Sequence, residues 1–264
     1  WEKSRGSSSL LLGTISFPDT VHPPKHLNAT TTPAEHCPPA ALRPVGAGHS
    51  FGTPRNGPAD SMANLLYQGD LPNDLELGPV VAVDCEMMGL NPHRDRLCLV
   101  QLSSGDGNAH MVQIVKGQTE APNLTALLCD ADVLKIFHFA RSDLAVLYQD
   151  LNVVVAPVYC TKIASKLVRT FTDRHGLKDL CKELLNIDIS KQQQSSDWGA
   201  AELSNEQLNY AASDVLHLHR LKEEFDRRLA REERSELALA LFEFLPYRAQ
   251  LDLLGWEDPD IFSH

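Results

Sequence analysis

An α/β fold, a mixed β-sheet flanked by helices, is what this sequence predicts, and three observations carry that prediction. Three short strand-like runs follow one another closely, at 79–85, 97–103 and 109–114, near enough to form an antiparallel meander. After them, strand-like runs alternate with helix-length segments, the arrangement that lays helices on the faces of a sheet. A length of 264 residues with 43% hydrophobic content supplies material for one substantial core.

The elements follow in order. Residues 1–61 are a different material: they hold nine of the sixteen prolines and four of the eleven histidines, with no sustained periodicity. They are expected to be a disordered or spurious extension, with Met62 as the natural start and 62–264 as a single domain. Val80, Val81, Ala82 and Val83 read as a buried strand, bounded by Gly78-Pro79 before and Gly89-Leu90-Asn91-Pro92 after. A helix is expected near 122–129. Lys135 to Phe137 forms a short strand within 134–138, and a helix over 141–149 begins near Ala140 with Leu144 and Leu147 toward the core. A last strand is expected at 153–156, then helices near 161–169 and 176–185. The stretch 204–229 reads as one helix, with Ser204 as N-cap and Glu206 and Gln207 in its first turn. A final helix is expected over 232–244, where Leu237, Leu239, Leu241 and Phe242 form an apolar face open to core packing or to contact between copies.

Three of these elements carry carboxylates. Asp84 and Glu86 close the first strand, and alternation along a strand points both to one side while Cys85 points to the other. Two carboxylates side by side repel unless a divalent cation lies between them, and oxygen ligands of this kind suit Mg²⁺ or Mn²⁺ rather than zinc. The similar triplet Asp74-Leu75-Glu76 sits in a Pro-Asn-Asp turn with no strand leading in, and reads as solvated loop. Tyr210 and Asp214, four apart on a helix, share one face, flanked by Ala211 and Val215. Asp143 falls in the first turn of its helix, where the dipole favours a carboxylate. Each has an ordinary reading alone: a core tyrosine, a solvated aspartate, an acidic first turn. Together, four carboxylates and a phenol on regular elements fit a phosphodiester hydrolase that uses two metal ions.

The order D-x-E, D, Y-x-x-x-D resembles the DEDDy branch of the DnaQ-like 3′–5′ exonucleases, and within it the ribonuclease D group. In particular it is similar to the short, single-domain bacterial nanoRNase C type. Further carriers are Gly89 to Leu97, Cys160 to Ser165, Asp173 to Leu180, Ser190 to Trp198 and the segment from Gly255-Trp256 to His264. The sister branch needs His five residues before the last Asp, where this chain has Asn209. The resemblance implies a ribonuclease H-like fold and catalytic roles for Asp84, Glu86, Asp143, Tyr210 and Asp214. It assigns two divalent ions to the four carboxylates and has Tyr210 orient the attacking water. It also implies release of nucleoside 5′-monophosphates from the 3′ end, and assembly as an octamer. By position Leu90 would wedge between bases. Cys85 stands where the group more often has Thr; because it points away from the metals, little catalytic effect is expected.

Net charge bounds the substrate. At −11 the chain offers no large basic surface for a long polyanion. About fifty residues follow Asp214, too few for the added helical domains of ribonuclease D. Very short RNA, down to dinucleotides, is therefore the expected substrate, held by local donors such as His138, Arg141 and the Lys191 to Gln194 segment, with Lys191 and Gln193 as candidates. A broader exonuclease acting on longer RNA and on DNA is the alternative. Six cysteines without Cys-x-x-Cys spacing read as free thiols, and no apolar run approaches the ~20 residues of a membrane span, so a cytoplasmic protein is expected.

Overall fold

A computed structural model describes residues 63–264, apart from 191 and 194. The expectations for the first 61 residues and for Lys191 lie outside the described residues. Six strands form one sheet: β1 (Asn64–Gln68), β2 (Val80–Met87), β3 (Leu97–Ser103), β4 (Ala109–Gln113), β5 (Leu134–Phe137) and β6 (Val158–Cys160). Their order is β1-β4-β3-β2-β5-β6. The meander is as expected, since β2 to β3 and β3 to β4 pair antiparallel. β5 runs parallel to β2, and β6 parallel to β5, with helices as crossovers. β2 is thus an interior strand whose end is flanked by β3 on one side and by the start of the post-β5 helix on the other. A bulge between Glu86 and Met87 shifts the pairing there.

Seven α-helices accompany the sheet among the described residues: α1 (Pro122–Cys129), α2 (Ala140–Leu151), α3 (Thr161–Val168), α4 (Leu177–Leu180), α5 (Asn205–Val215), α6 (Leu218–Arg231) and α7 (Ser235–Leu251). α4 continues as a π-helical turn, Cys181–Leu185, and another, Asp252–Trp256, follows α7. No helix among the described residues is long and apolar enough to cross a membrane. The core is continuous, built from β2, β3 and β5 with the inner faces of α2, α5 and α6.

Four elements differ from expectation. β1 was not predicted; it is an edge strand whose residues stay half-buried or exposed, so its pattern is not a continuous apolar run. Val153, Val154 and Val155 are buried but are not a strand. Pairing with β5 starts at Val158, after Pro157, which has no N–H to give a ladder. The expected helix 204–229 is two helices broken at Leu216 and His217. The stripe Ala211, Val215, Leu218, Leu221, Phe225, Leu229 keeps three- and four-residue spacing through the break, which is why periodicity does not mark it. α7 runs to Leu251, with Pro246 inside it, and leaves Leu237, Leu239 and Leu241 exposed while Phe242 is buried.

Cys85, Cys98, Cys160 and Cys181 are free and buried, as expected.

Candidate active site

The end of β2 supplies the first two carboxylates. The capping box at the start of α5 then fixes where the third arrives: Ser204 Oγ accepts the Gln207 N–H at 3.2 Å, and Gln207 Oε1 accepts the Ser204 N–H at 2.9 Å. The Gln207 amide also donates to the Asp197 carbonyl at 3.1 Å, tying α5 to the loop before it. So anchored, α5 lays Asp214 against β2. Oxygens of Asp84, Glu86 and Asp214 all lie within 4.8 Å of one another, a spacing a single divalent cation can span.

Asp143 joins from the other side. It lies in the first turn of α2, only 4% exposed, near the buried Cys85. Burial first, and then the charges of Asp143, Asp84 and Glu86, push the Cys85 thiol up. Tyr210 completes the group, one turn before Asp214 on α5, its ring 6.0 Å from that of Trp198.

The electrostatics are those of acids crowded without counter-charge. Burial pushes the Asp84 carboxyl far up, reinforced by the charges of Asp143, Asp214 and Glu86. Glu86 rises to about 9, first through burial and then through Asp214 and Asp143. Asp143 also rises, first through burial and further through the charge of Asp214. Burial, then Asp214 and Glu86, raises the Tyr210 phenol too, so it stays protonated and acts as a donor, not a base. Cations at this spot would relieve all of these at once, and the all-oxygen donor set fits Mg²⁺ or Mn²⁺.

Gln101 is a residue that sequence reasoning missed. It pairs directly with Asp84 across β2 and β3, so the two side chains share a face. It is fully buried, and neither its amide nitrogen nor its oxygen has a partner among the described residues. A buried amide with nothing to bond is costly. Its available signal was a polar residue inside the apolar run Leu97-Cys98-Leu99-Val100-Gln101-Leu102.

The proposed substrate contacts fare unevenly. Leu90 stands 92% exposed on the loop after β2. That loop is held by Asp95, whose Oδ2 accepts the Asn91 N–H at 3.0 Å and whose carboxyl is held down to about 2 chiefly by Arg94. Gly89 has no room for a side chain, since a Cβ there would lie 2.3 Å from Asp95 Oδ2. His138 is half-buried, with Nδ1 2.9 Å from the Thr161 hydroxyl. Gln193 caps its own turn through Ser196. Arg141 grips the buried Asp252 carboxylate with two hydrogen bonds, from Nε and from Nη2, and so ties α2 to the turn after α7. Asn209, at the position that separates the two branches, accepts from Asn64 Nδ2 of β1 at 2.7 Å.

Residues 68–230, more than half of the chain, match the model of the 3′–5′ exonuclease family. The chain belongs to that family. Among curated relatives it is 36% identical over 156 residues to ribonuclease D of Gluconacetobacter diazotrophicus, covering 59% of this chain and 39% of that protein. It is 35% identical over 179 residues to ribonuclease D of Acidiphilium cryptum, covering 65% and 44%. The chain thus spans less than half the length of these relatives. Among solved structures it is similar to Brucella melitensis NrnC bound to pGG, at 57% identity and a TM-score of 0.75, covering 77% of this chain and 100% of that one. The same enzyme with bound Mg²⁺ gives 56% identity and a TM-score of 0.73, covering 76% and 98%. The α/β fold of a mixed six-stranded sheet flanked by helices is shared with these nucleases, and the exonuclease resemblance read from the motifs holds.

Proposed function

We propose that this protein is a metal-dependent 3′–5′ exoribonuclease that hydrolyses very short RNA, down to dinucleotides, to nucleoside 5′-monophosphates. The observation that carries the reading is the meeting of Asp84, Glu86 and Asp214 oxygens within 4.8 Å beside the buried Asp143. In this account Asp84, Glu86 and Asp214 hold one divalent ion, while Asp84 and Asp143 serve a second, both Mg²⁺ or Mn²⁺. When bound, the two ions lower the pKa of the attacking water and neutralise charge on the scissile phosphate and leaving oxygen.

The chain's own residues do the rest. Tyr210, kept protonated by burial and by the neighbouring carboxylates, orients the water as a hydrogen-bond donor. Leu90, projecting from a loop made rigid by Asp95 and Gly89, offers an apolar edge to a base at the 3′ end. Short substrates are supported by the −11 net charge and by the relative that holds pGG. The same resemblance makes the exposed Leu237, Leu239 and Leu241 of α7 a contact face of a homo-oligomer, an octamer. Sedimentation velocity of the parent against Leu239→Glu tests that reading; equal masses at the monomer value reject it.

The chemistry is tested by product analysis. RNA dinucleotides with Mg²⁺ or Mn²⁺ should give nucleoside 5′-monophosphates only. Asp84→Ala should abolish release while keeping the far-ultraviolet dichroism of the parent. An Asp84→Ala protein as active as the parent would reject the metal-site assignment.

A further inference from the structure

A pocket of about 210 Å³ lies between the starts of α2 and α3 and the last turns of α7. It is separate from the carboxylate cluster. Arg141 lines it while Asp143 faces β2, and positions two apart on a helix point to nearly opposite sides. Its lining holds four cationic side chains, Arg141, Lys162, Lys166 and Arg248, and no carboxylate, in a chain whose net charge is −11. Two of the cations are answered from behind: Arg141 by Asp252, and Arg248 by Asp252 and Asp260 at 2.9 Å each. Lys162 and Lys166 have no ion-pair partner among the described residues, so the pocket keeps two uncompensated charges. Burial and the charge of Lys166 both push the Lys162 ammonium down, as happens where cations gather without an anion.

Two further features belong to the lining. Arg248 lines the pocket although only 7% exposed, and its Nη1 is itself buried, with no hydrogen-bond partner among the described residues. The N-caps of α2 and α3, Phe139 and Cys160, supply no side-chain cap, and both line the pocket. Two helix starts there present positive dipole ends to whatever enters.

The apolar part of the lining is aromatic. Phe139 holds a left-handed backbone, φ 67°, rare for a bulky residue, and Lys162 Nζ sits 4.0 Å over its ring. Phe244 lines the pocket from α7. We propose that this pocket binds a terminal phosphate carried on a nucleoside, the phosphate taken by Lys162 and Lys166 and the base or sugar resting against Phe139 and Phe244. Such a phosphate has two sources, a free nucleoside 5′-monophosphate or the 5′ end of a short oligonucleotide. The choice of a nucleotide rests on the exonuclease reading; the anion site itself does not.

The test is isothermal calorimetry on the full chain in EDTA, with GMP and with guanosine, using the parent, Asp84→Asn and the double variant Lys162→Gln/Lys166→Gln. GMP is expected to bind the parent and Asp84→Asn alike, about tenfold or more weaker to the lysine variant, and guanosine about tenfold or more weaker than GMP. Absence of GMP binding in EDTA, or equal affinity in the lysine variant, overturns the proposal. A pocket filled by a second copy of the chain would give that same silent result. Turnover then separates the sources. If the lysine variant raises KM for a 5′-phosphorylated dinucleotide but not for its 5′-hydroxyl counterpart, the phosphate arrives on the substrate. If neither KM moves while GMP affinity is lost, the pocket serves free nucleotide. An equal rise for both dinucleotides overturns phosphate recognition. Failure of the parent to turn over either dinucleotide rejects the short-RNA reading without touching the calorimetric result.

Discussion

Replacing Glu86 by Gln should stabilise the cation-free protein at neutral pH while removing its response to cations. In the folded, cation-free state Glu86 titrates at about 9, against an ordinary value of 4.5 in the unfolded chain. A carboxyl raised by folding contributes most below its unfolded pKa, and that contribution is lost as pH climbs toward the folded value. Between 4.5 and 9 the folded protein must hold a proton that the unfolded chain releases. At pH 7 the interval above 4.5 is 2.5 units, and at 1.36 kcal/mol per unit the penalty is about 3 kcal/mol. Gln carries no proton to lose, so Glu86→Gln should exceed the parent by about 3 kcal/mol at pH 7 and match it near pH 4.5. Urea unfolding in EDTA at pH 4.5, 6, 7 and 8 measures this, followed by thermal unfolding with added Mg²⁺ or Mn²⁺. The parent should gain melting temperature from the cation and the variant should not. Equal stabilities at pH 7 in EDTA, or a parent that grows more stable from pH 4.5 to 7, would refute the account of crowded, uncompensated acids.

Other outcomes follow from single contacts. Gln101→Leu should add about 1–3 kcal/mol to the cation-free protein by removing an unbonded amide, yet slow hydrolysis by about 10–100-fold if the amide supports Asp84 or its cation; unfolding and turnover measured together decide it, and an unchanged rate would reduce Gln101 to packing. Leu90→Ala should leave urea stability within about 0.5 kcal/mol while raising KM for a dinucleotide about tenfold; unchanged kinetics would remove Leu90 from the substrate contacts. Arg141→Ala should cost about 2 kcal/mol in urea unfolding, because it leaves the buried Asp252 carboxylate with one cation fewer; a parental unfolding midpoint would contradict that.

What was legible in the sequence and what was not divide along physical lines. Asp84 and Glu86 were readable because a strand of Val and Ala runs straight into them, and Ser204 with Gln207 announced the helix that brings Asp214. Local pattern suffices for such features. Partners distant in the chain were not readable. Nothing in the sequence sets Arg141 against Asp252, 111 residues away, and its charge alone made it resemble a phosphate ligand. The closeness of Cys85 to Asp143 was hidden for a related reason: alternation says which side a residue takes, not which helix waits there. Gln101 carried a signal, a lone polar side chain in an apolar strand, but its meaning depended on the register that sets it against Asp84. The break between α5 and α6 left no mark on periodicity, and the structure offers no evident cause for it.

The central claim, that this is a two-metal exonuclease for very short RNA, is tested most directly by length. The protein is given Mn²⁺ or Mg²⁺ and 5′-labelled RNA of two, three, five and twenty nucleotides with a matching DNA set, and initial rates are compared. Fast loss of the dinucleotide with slow attack on the longer RNA is the predicted result. Equal rates at every length, DNA included, would contradict it and make the enzyme a general 3′–5′ exonuclease.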